Sequence, residues 1–288
     1  MLPFARISQY GNTVLPSITG VFTSVNTSGG TRYSFGNAYD SGTKLYAFDG
    51  YNGANMNSFV VYDTSTNVLT TLSTGSIAAR HAPGLVYYNN KIYMFGGYTS
   101  AATNDFYVYD VSTNTWTANT TSTNKPSARH HCRFRATDAG ILYLWGSDNG
   151  NQLYSYNPST NAWTALAGSP AANVVSGDMC TDGVDLYCST STNTALMKYT
   201  VSTGTWSTIS MNSGVYGRLV YINNAIYTIL NSILYKFVFD TNTWVQVKTG
   251  IPNLNSGAFL TNTKTGSAFY SLFGSIGGTA TNIIYKIT

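Results

Sequence analysis

The chain has 288 residues, 43% of them hydrophobic and 9% charged, with a formal net charge of +4. Disorder needs low hydrophobicity and high net charge, so a folded chain is expected. Nucleic-acid binding calls for a dense basic patch, and the nearest run, Arg129-His-His-Cys-Arg133-Phe-Arg135, carries three charges. No stretch approaches the ~18 apolar residues of a membrane helix. Neither nucleic acid nor membrane insertion is therefore expected.

In chain order, the first ten residues lack a basic region followed by an apolar core, so no secretory leader is expected. Residues 1–16 lie outside the pattern that follows and read as a docking arm. Leu2, Phe4, Ile7, Tyr10, Val14 and Leu15 are its side chains available for burial, on a partner or back on the same chain. A β-like run follows from about Ser17 to Asn26.

From residue 31 onward the sequence repeats. An apolar residue followed by Tyr recurs as Leu45-Tyr46, Ile92-Tyr93, Leu142-Tyr143, Leu186-Tyr187, Ile226-Tyr227 and Phe269-Tyr270, at 40 to 50 residue intervals. Each unit continues through a polar turn to a second run and a hairpin ending in Trp, as in Tyr109-Asp-Val-Ser-Thr-Asn-Thr-Trp116 and Tyr156-Asn-Pro-Ser-Thr-Asn-Ala-Trp163. The first copy, Tyr62 to Leu69, has Leu in place of Trp. Four short strands per unit predict one sheet per repeat, set radially so that each packs on its neighbours. Asp, Asn, Ser and Gly at the hairpins supply turn chemistry, and each Trp is expected to open the outer strand and pack between sheets. The last copy ends at Ile283-Ile-Tyr-Lys-Ile-Thr288, one strand short. The run at 17–26 is expected to complete it. The fold expected is an all-β, six-bladed β-propeller over 17–288, closed by an N-terminal strand.

Ala79-Arg-His-Ala-Pro-Gly leading to Ile92-Tyr-Met-Phe-Gly-Gly97, then Phe106-Tyr-Val-Tyr-Asp to Trp116, resembles a kelch repeat. Ala128-Arg-His-His-Cys-Arg leading to Leu142-Tyr-Leu-Trp-Gly146 is a second copy. The resemblance spans 31–288 for the fold, while later copies lack the Gly doublet. Kelch-type propellers include copper radical oxidases, sugar epimerases, ligase adaptors and actin binders. The copper enzymes need two histidines and two tyrosines on the metal. This chain has His81, His130 and His131, and His81 and His130 share a repeat position, as structural residues do. No metal or other cofactor is expected.

Among the acidic residues, Asp63, Asp110 and Asp240 fall in the hairpins, and Asp49, Asp105, Asp148, Asp178, Asp182 and Asp185 lie in or near other loops without a base at recognisable spacing. No phosphate loop or nucleophile elbow is present, and no catalytic residue is assigned. Arg32, Arg80 and Arg129 precede the first three repeat tyrosines by 13 or 14 residues, where Asn173, Gly214 and Ser256 stand in later copies. They could cluster at one channel mouth and take a carboxylate or sulfate, or be held by neighbouring carbonyls. Cys132 stands alone. Cys180 and Cys188 would face each other across a hairpin centred near Val184, as two small apolar side chains or as a disulfide.

A low-charge surface rich in Ser, Thr, Asn and Tyr, with no leader, suits a virion part made in the host cytoplasm, and propellers occur in phage tails. The role expected is a non-enzymatic tail, fibre or capsid-attached protein, docked on other virion proteins by residues 1–16 and facing a host glycan or receptor. The alternative is an extracellular bacterial carbohydrate-binding or carbohydrate-modifying propeller.

Overall fold

A computed structural model of the protein describes residues 17–147, 150–170, 177–189, 195–210, 217–252, 254–255, 258–260, 266–276 and 279–288. Among these residues there is no helix. Six four-stranded antiparallel sheets form the blades of a propeller. In blade 1 the strands are Gly36–Tyr39, Lys44–Phe48, Phe59–Asp63 and Val68–Leu72, from the channel outward. Blade 2 begins at Gly84–Tyr88, blade 3 at Arg133–Ala136, blade 4 at Met179–Thr181 and blade 5 at Val220–Ile222.

Blade 6 closes the ring as expected. Its inner three strands are Ala258–Leu260, Phe269–Leu272 and Ile284–Ile287, and its outer strand is Phe22–Asn26. Phe22 pairs with Ile287 and Ser24 with Tyr285. The amides of Thr19 and Val21 both donate to the Thr288 carbonyl at 3.0 Å. A small extra sheet of Leu254–Asn255, Ser275–Ile276 and Thr279–Ala280, absent from the repeat pattern, sits beside blade 6.

The repeated dipeptide has a simple purpose. Consecutive strand residues point to opposite faces of a sheet. Leu45 therefore packs in the seam between blades 6 and 1, and Tyr46 in the seam between blades 1 and 2. Ile92 and Tyr93 divide the same way, as do the other four pairs, so six apolar clusters fill six seams among the described residues. All twelve side chains are nearly inaccessible. Burial raises the tyrosine hydroxyls, that of Tyr93 to about 12.

The tryptophans pack as predicted. Trp163 of blade 3 lies against Phe95 and Phe106 of blade 2, with ring centroids 5.2 and 5.1 Å away, and is 1% exposed. Trp116 packs on Phe48 of blade 1 and donates to the Ser73 carbonyl. Leu69, which replaces Trp in blade 1, packs in the seam with blade 6. The hairpin before the outer strand is fixed by an Asn in blades 1 to 3, where blade 4 has Gly204. Asn67, Asn114 and Asn161 adopt φ of 59°, 54° and 53°, a conformation Asn tolerates. Each accepts a bond from the hydroxyl of the buried tyrosine five residues earlier, Tyr62, Tyr109 or Tyr156. Asp63 and Asp110 cap the same turns and bind Lys44 and Lys91. Those bonds hold both carboxyls well below the usual range.

The cysteine expectation is corrected. Cys188 pairs with Met179 and Cys180 with Tyr187, because the turn leaves four residues, Asp182 to Asp185, between Thr181 and Leu186. A one-residue shift in register moves a side chain to the other face. Cys180 thus packs between blades 4 and 5 and Cys188 between blades 3 and 4, and all three cysteines are buried free thiols.

Candidate functional site

Each inner strand enters the channel at one face of the ring and reaches its first hairpin at the other. The entry face of blades 1–3 carries Arg32, Arg80 and Arg129, which are 2%, 1% and 5% exposed. Their backbones stitch neighbouring blades together. The Arg80 amide donates to the Met56 carbonyl and its carbonyl accepts from the Gly50 amide, both in blade 1. Arg129 makes the same pair of bonds with Thr103 and Gly97 of blade 2, and Arg32 with Thr281 and Gly274 of blade 6.

The guanidiniums turn into their own blades. That of Arg80 donates to the carbonyls of Ala78 and Gly96 and meets Asp105 at 3.1 Å. Arg32 donates to the carbonyls of Gly30 and Asp49 and to the Ser58 hydroxyl, and Arg129 to the Ser127 carbonyl and hydroxyl. Arg129 also lies 4.6 Å over the Tyr154 ring. Burial lowers Arg32 to about 10 against the opposing pull of Asp49, and raises the Asp49 carboxyl to about 8. The aligned positions Asn173, Gly214 and Ser256, like Leu2, Phe4, Ile7, Tyr10, Val14, Leu15 and Asp148, lie outside the described residues.

The Gly doublet stands where this approach leaves no room for a side chain between blades 2 and 3. Gly96 and Gly97 have φ of 67° and 102°, and a Cβ on Gly96 would stand 2.3 Å from the Arg129 carbonyl oxygen. Asp49-Gly50 and Phe273-Gly274 adopt the same pair of positive φ values in blades 1 and 6, so the geometry recurs where the letters do not.

Outside the arginines runs a row of half-buried rings: Tyr33, Tyr51, His81, Tyr98, His130 and His131. Successive centroids are 5.6, 5.4, 5.2, 4.9 and 4.8 Å apart. His81 Nδ1 lies 2.6 Å from Asn55 Oδ1, and the Asn55 amide donates to the carbonyls of Tyr98 and Thr99. The histidines were legible in the sequence; Tyr33 follows Arg32 as His81 and His130 follow their arginines, and Tyr51 and Tyr98 each follow a glycine in the loop between second and third strands, a shared position that could have flagged them. Among the described residues no three His, Cys, Asp or Glu side chains are grouped to hold a metal.

Further along the channel is a second basic cluster. Arg133 and Arg135 share a strand face, as alternation requires, and lie 3.0 and 3.6 Å from Asp178 of blade 4. Asp178 also accepts from the amides of Met179 and Leu219. Burial lowers Arg133 to about 9, helped by nearby Arg218 and opposed by Asp178. Arg218 is lowered by burial too. Three arginines thus converge on one carboxylate, and Arg133 Nη2 is buried without a protein partner. Beyond Arg135, at the hairpin face, opens a cavity of about 290 Å³ between blades 1, 2 and 3, walled by Tyr39, Tyr87, Tyr88, Phe134 and Asp138. The run holding Arg133 and Arg135 stood out in the sequence, but Asp178, Arg218 and the cavity did not, since they come from separate repeats.

Residues 19–178 match the KLHDC2/KLHL20/DRC7 Kelch-repeats domain, which is more than half of the chain. The chain belongs to the kelch-repeat family. No curated protein matches it significantly. Within the kelch framework, the Arg-His pair, the Gly doublet and the Trp take their places as the parts that join one blade to the next. A kelch propeller of this kind is a protein-binding architecture.

Proposed function

We propose that this kelch propeller is a non-catalytic module that binds a protein partner through the entry face of blades 1–3. The row of six rings from Tyr33 to His131 carries the reading. Aromatic side chains dominate the energetics of protein interfaces, because they offer large area at low conformational cost. Here they are half-buried and mounted on a backbone already tied from blade to blade, so docking need not order them.

The test uses peptides selected by display against the intact chain. Tyr98→Ala with His130→Ala should lose most of the selected binders, while Val245→Ser on an outer strand should retain them. Retention by the double variant, with its fold intact, overturns the assignment of this face.

The finer setting, a virion part docked through residues 1–16, rests on the composition: few charges and abundant Thr, Ser, Asn and Tyr. Hydrogen exchange on the free protein tests it. Fast exchange over residues 2–15 supports docking on a partner, and slow exchange there means that the arm folds back on its own chain.

A further inference from the structure

We propose that the cavity at the hairpin face is a binding site for a small organic carboxylate that also carries hydrogen-bond donors, such as a sugar acid. It lies at the opposite end of the channel from the ring row and does not depend on the role assigned to that row.

Three observations converge on this class of ligand. The first is the cation. Arg135 is 11% exposed at its side chain, and its Nη1 is bonded to the Phe134 carbonyl. Its Nη2 lies 3.6 Å from Asp178, beyond a good hydrogen bond. The guanidinium therefore keeps donor capacity on the cavity side, and guanidinium matches carboxylate in shape and charge. Behind it stand Arg133 and Arg218, so Asp178 does not neutralise the group.

The second is an orphaned acceptor. Asn37 lines the same cavity, and its Oδ1, tucked behind the wall out of reach of water, has no protein partner. A buried polar atom without a partner costs on the order of 1–3 kcal/mol, and a ligand O–H or N–H toward which the Asn37 amide turns supplies the missing donor.

The third is the shape and chemistry of the walls. About 290 Å³ is at the small end of ligand pockets and suits about a dozen non-hydrogen atoms. Leu85, Val86 and Phe134 offer apolar contact, while Tyr39 and Tyr87 add phenol groups that burial keeps protonated to higher pH than usual. Protonated phenols remain donors toward a carboxylate. The charged groups facing the space are Arg135 and, at its rim, Asp138, whose charge reaches Tyr39.

The experiment is calorimetric titration of the full chain with D-glucuronate, D-glucose and benzoate. Glucose lacks the carboxylate and benzoate lacks the donors. Glucuronate should bind at least tenfold more tightly than either. Arg135→Met should remove that preference. Ala136→Leu, which fills the cavity without altering the arginine, should block all three probes and guards against misfolding of the arginine variant. Asp138→Asn should tighten glucuronate severalfold and leave glucose unchanged, a response that a purely structural arginine would not give. Equal affinity for glucuronate and glucose, absence of glucuronate binding at 10 millimolar (on the order of the weakest affinity worth calling specific), or a preference that survives Arg135→Met would each overturn the proposal.

Discussion

Gly96 and Gly250 have nearly the same backbone conformation, φ of 67° and 69°, in different surroundings. A Cβ on Gly250 would meet nothing within 4 Å. On Gly96 it would collide with the Arg129 carbonyl at 2.3 Å and approach the Thr103 carbonyl at 3.2 Å. Alanine at either site incurs the left-handed penalty of roughly 1–2 kcal/mol, offset in part by a less disordered unfolded chain. Gly250→Ala should therefore cost about 1 kcal/mol. Gly96→Ala adds the displacement of the blade 3 entry. That displacement weakens the bonds from Gly97 to Arg129 and from Arg129 to Thr103, both 2.9 Å, at about 1 kcal/mol each. A total near 3 kcal/mol follows. Urea unfolding of both variants, followed by tryptophan fluorescence at constant m, measures the difference directly. Equal losses would refute the claim that the Arg129 carbonyl packs too closely on Gly96 to admit a side chain there.

Removing residues 1–26 should leave the strand Ile284–Ile287 as an open edge and make the protein aggregate; a soluble truncation with an unchanged melting point would contradict the closure. Asp49, raised to about 8 by burial, holds its proton in the folded chain over a range where the unfolded chain releases it near 4. Stability should thus fall as pH rises from about 4 to about 8, by at most about 6 kcal/mol at 1.36 kcal/mol per unit. Asp49→Asn should flatten that slope, and denaturant midpoints at pH 5 and pH 8.5 compare the two. Trp163→Ala should cost about 3–5 kcal/mol, read by chemical denaturation, because a fully enclosed indole leaves a cavity between two blades.

The ring was legible because its signals are local. Leu45-Tyr46 and its five copies announce a two-sided sheet, and Tyr109 with Asn114 announces a hairpin, within a few residues of chain. The closing strand was legible by counting, since the final repeat lacked one. What escaped depends on register or on contact between repeats. A single residue in the turn after Thr181 decides that Cys180 and Cys188 face different seams. The pairing of Arg133 with Asp178 joins blades 3 and 4, and no spacing rule relates residues in neighbouring copies that are not equivalent. Arg32, Arg80 and Arg129 were found by their shared position, but their acceptors are mostly backbone carbonyls, which every residue owns and no letter marks.

The pairing of Phe22 with Ile287 also sets an order of events during synthesis. Blades 1 to 5 are each made of consecutive strands and can form as they emerge. Blade 6 cannot, because its outer strand is made first and its partner last, some 260 residues apart. At the usual ~5–20 residues per second the ribosome separates the two by about 13–50 s. Through that interval the strand Phe22–Asn26 has no partner of its own, and the unfinished ring presents an open seam at blade 1. Folding of the ring is then timed by its final contact: five blades wait for the strand Ile284–Ile287 to bring the first strand home.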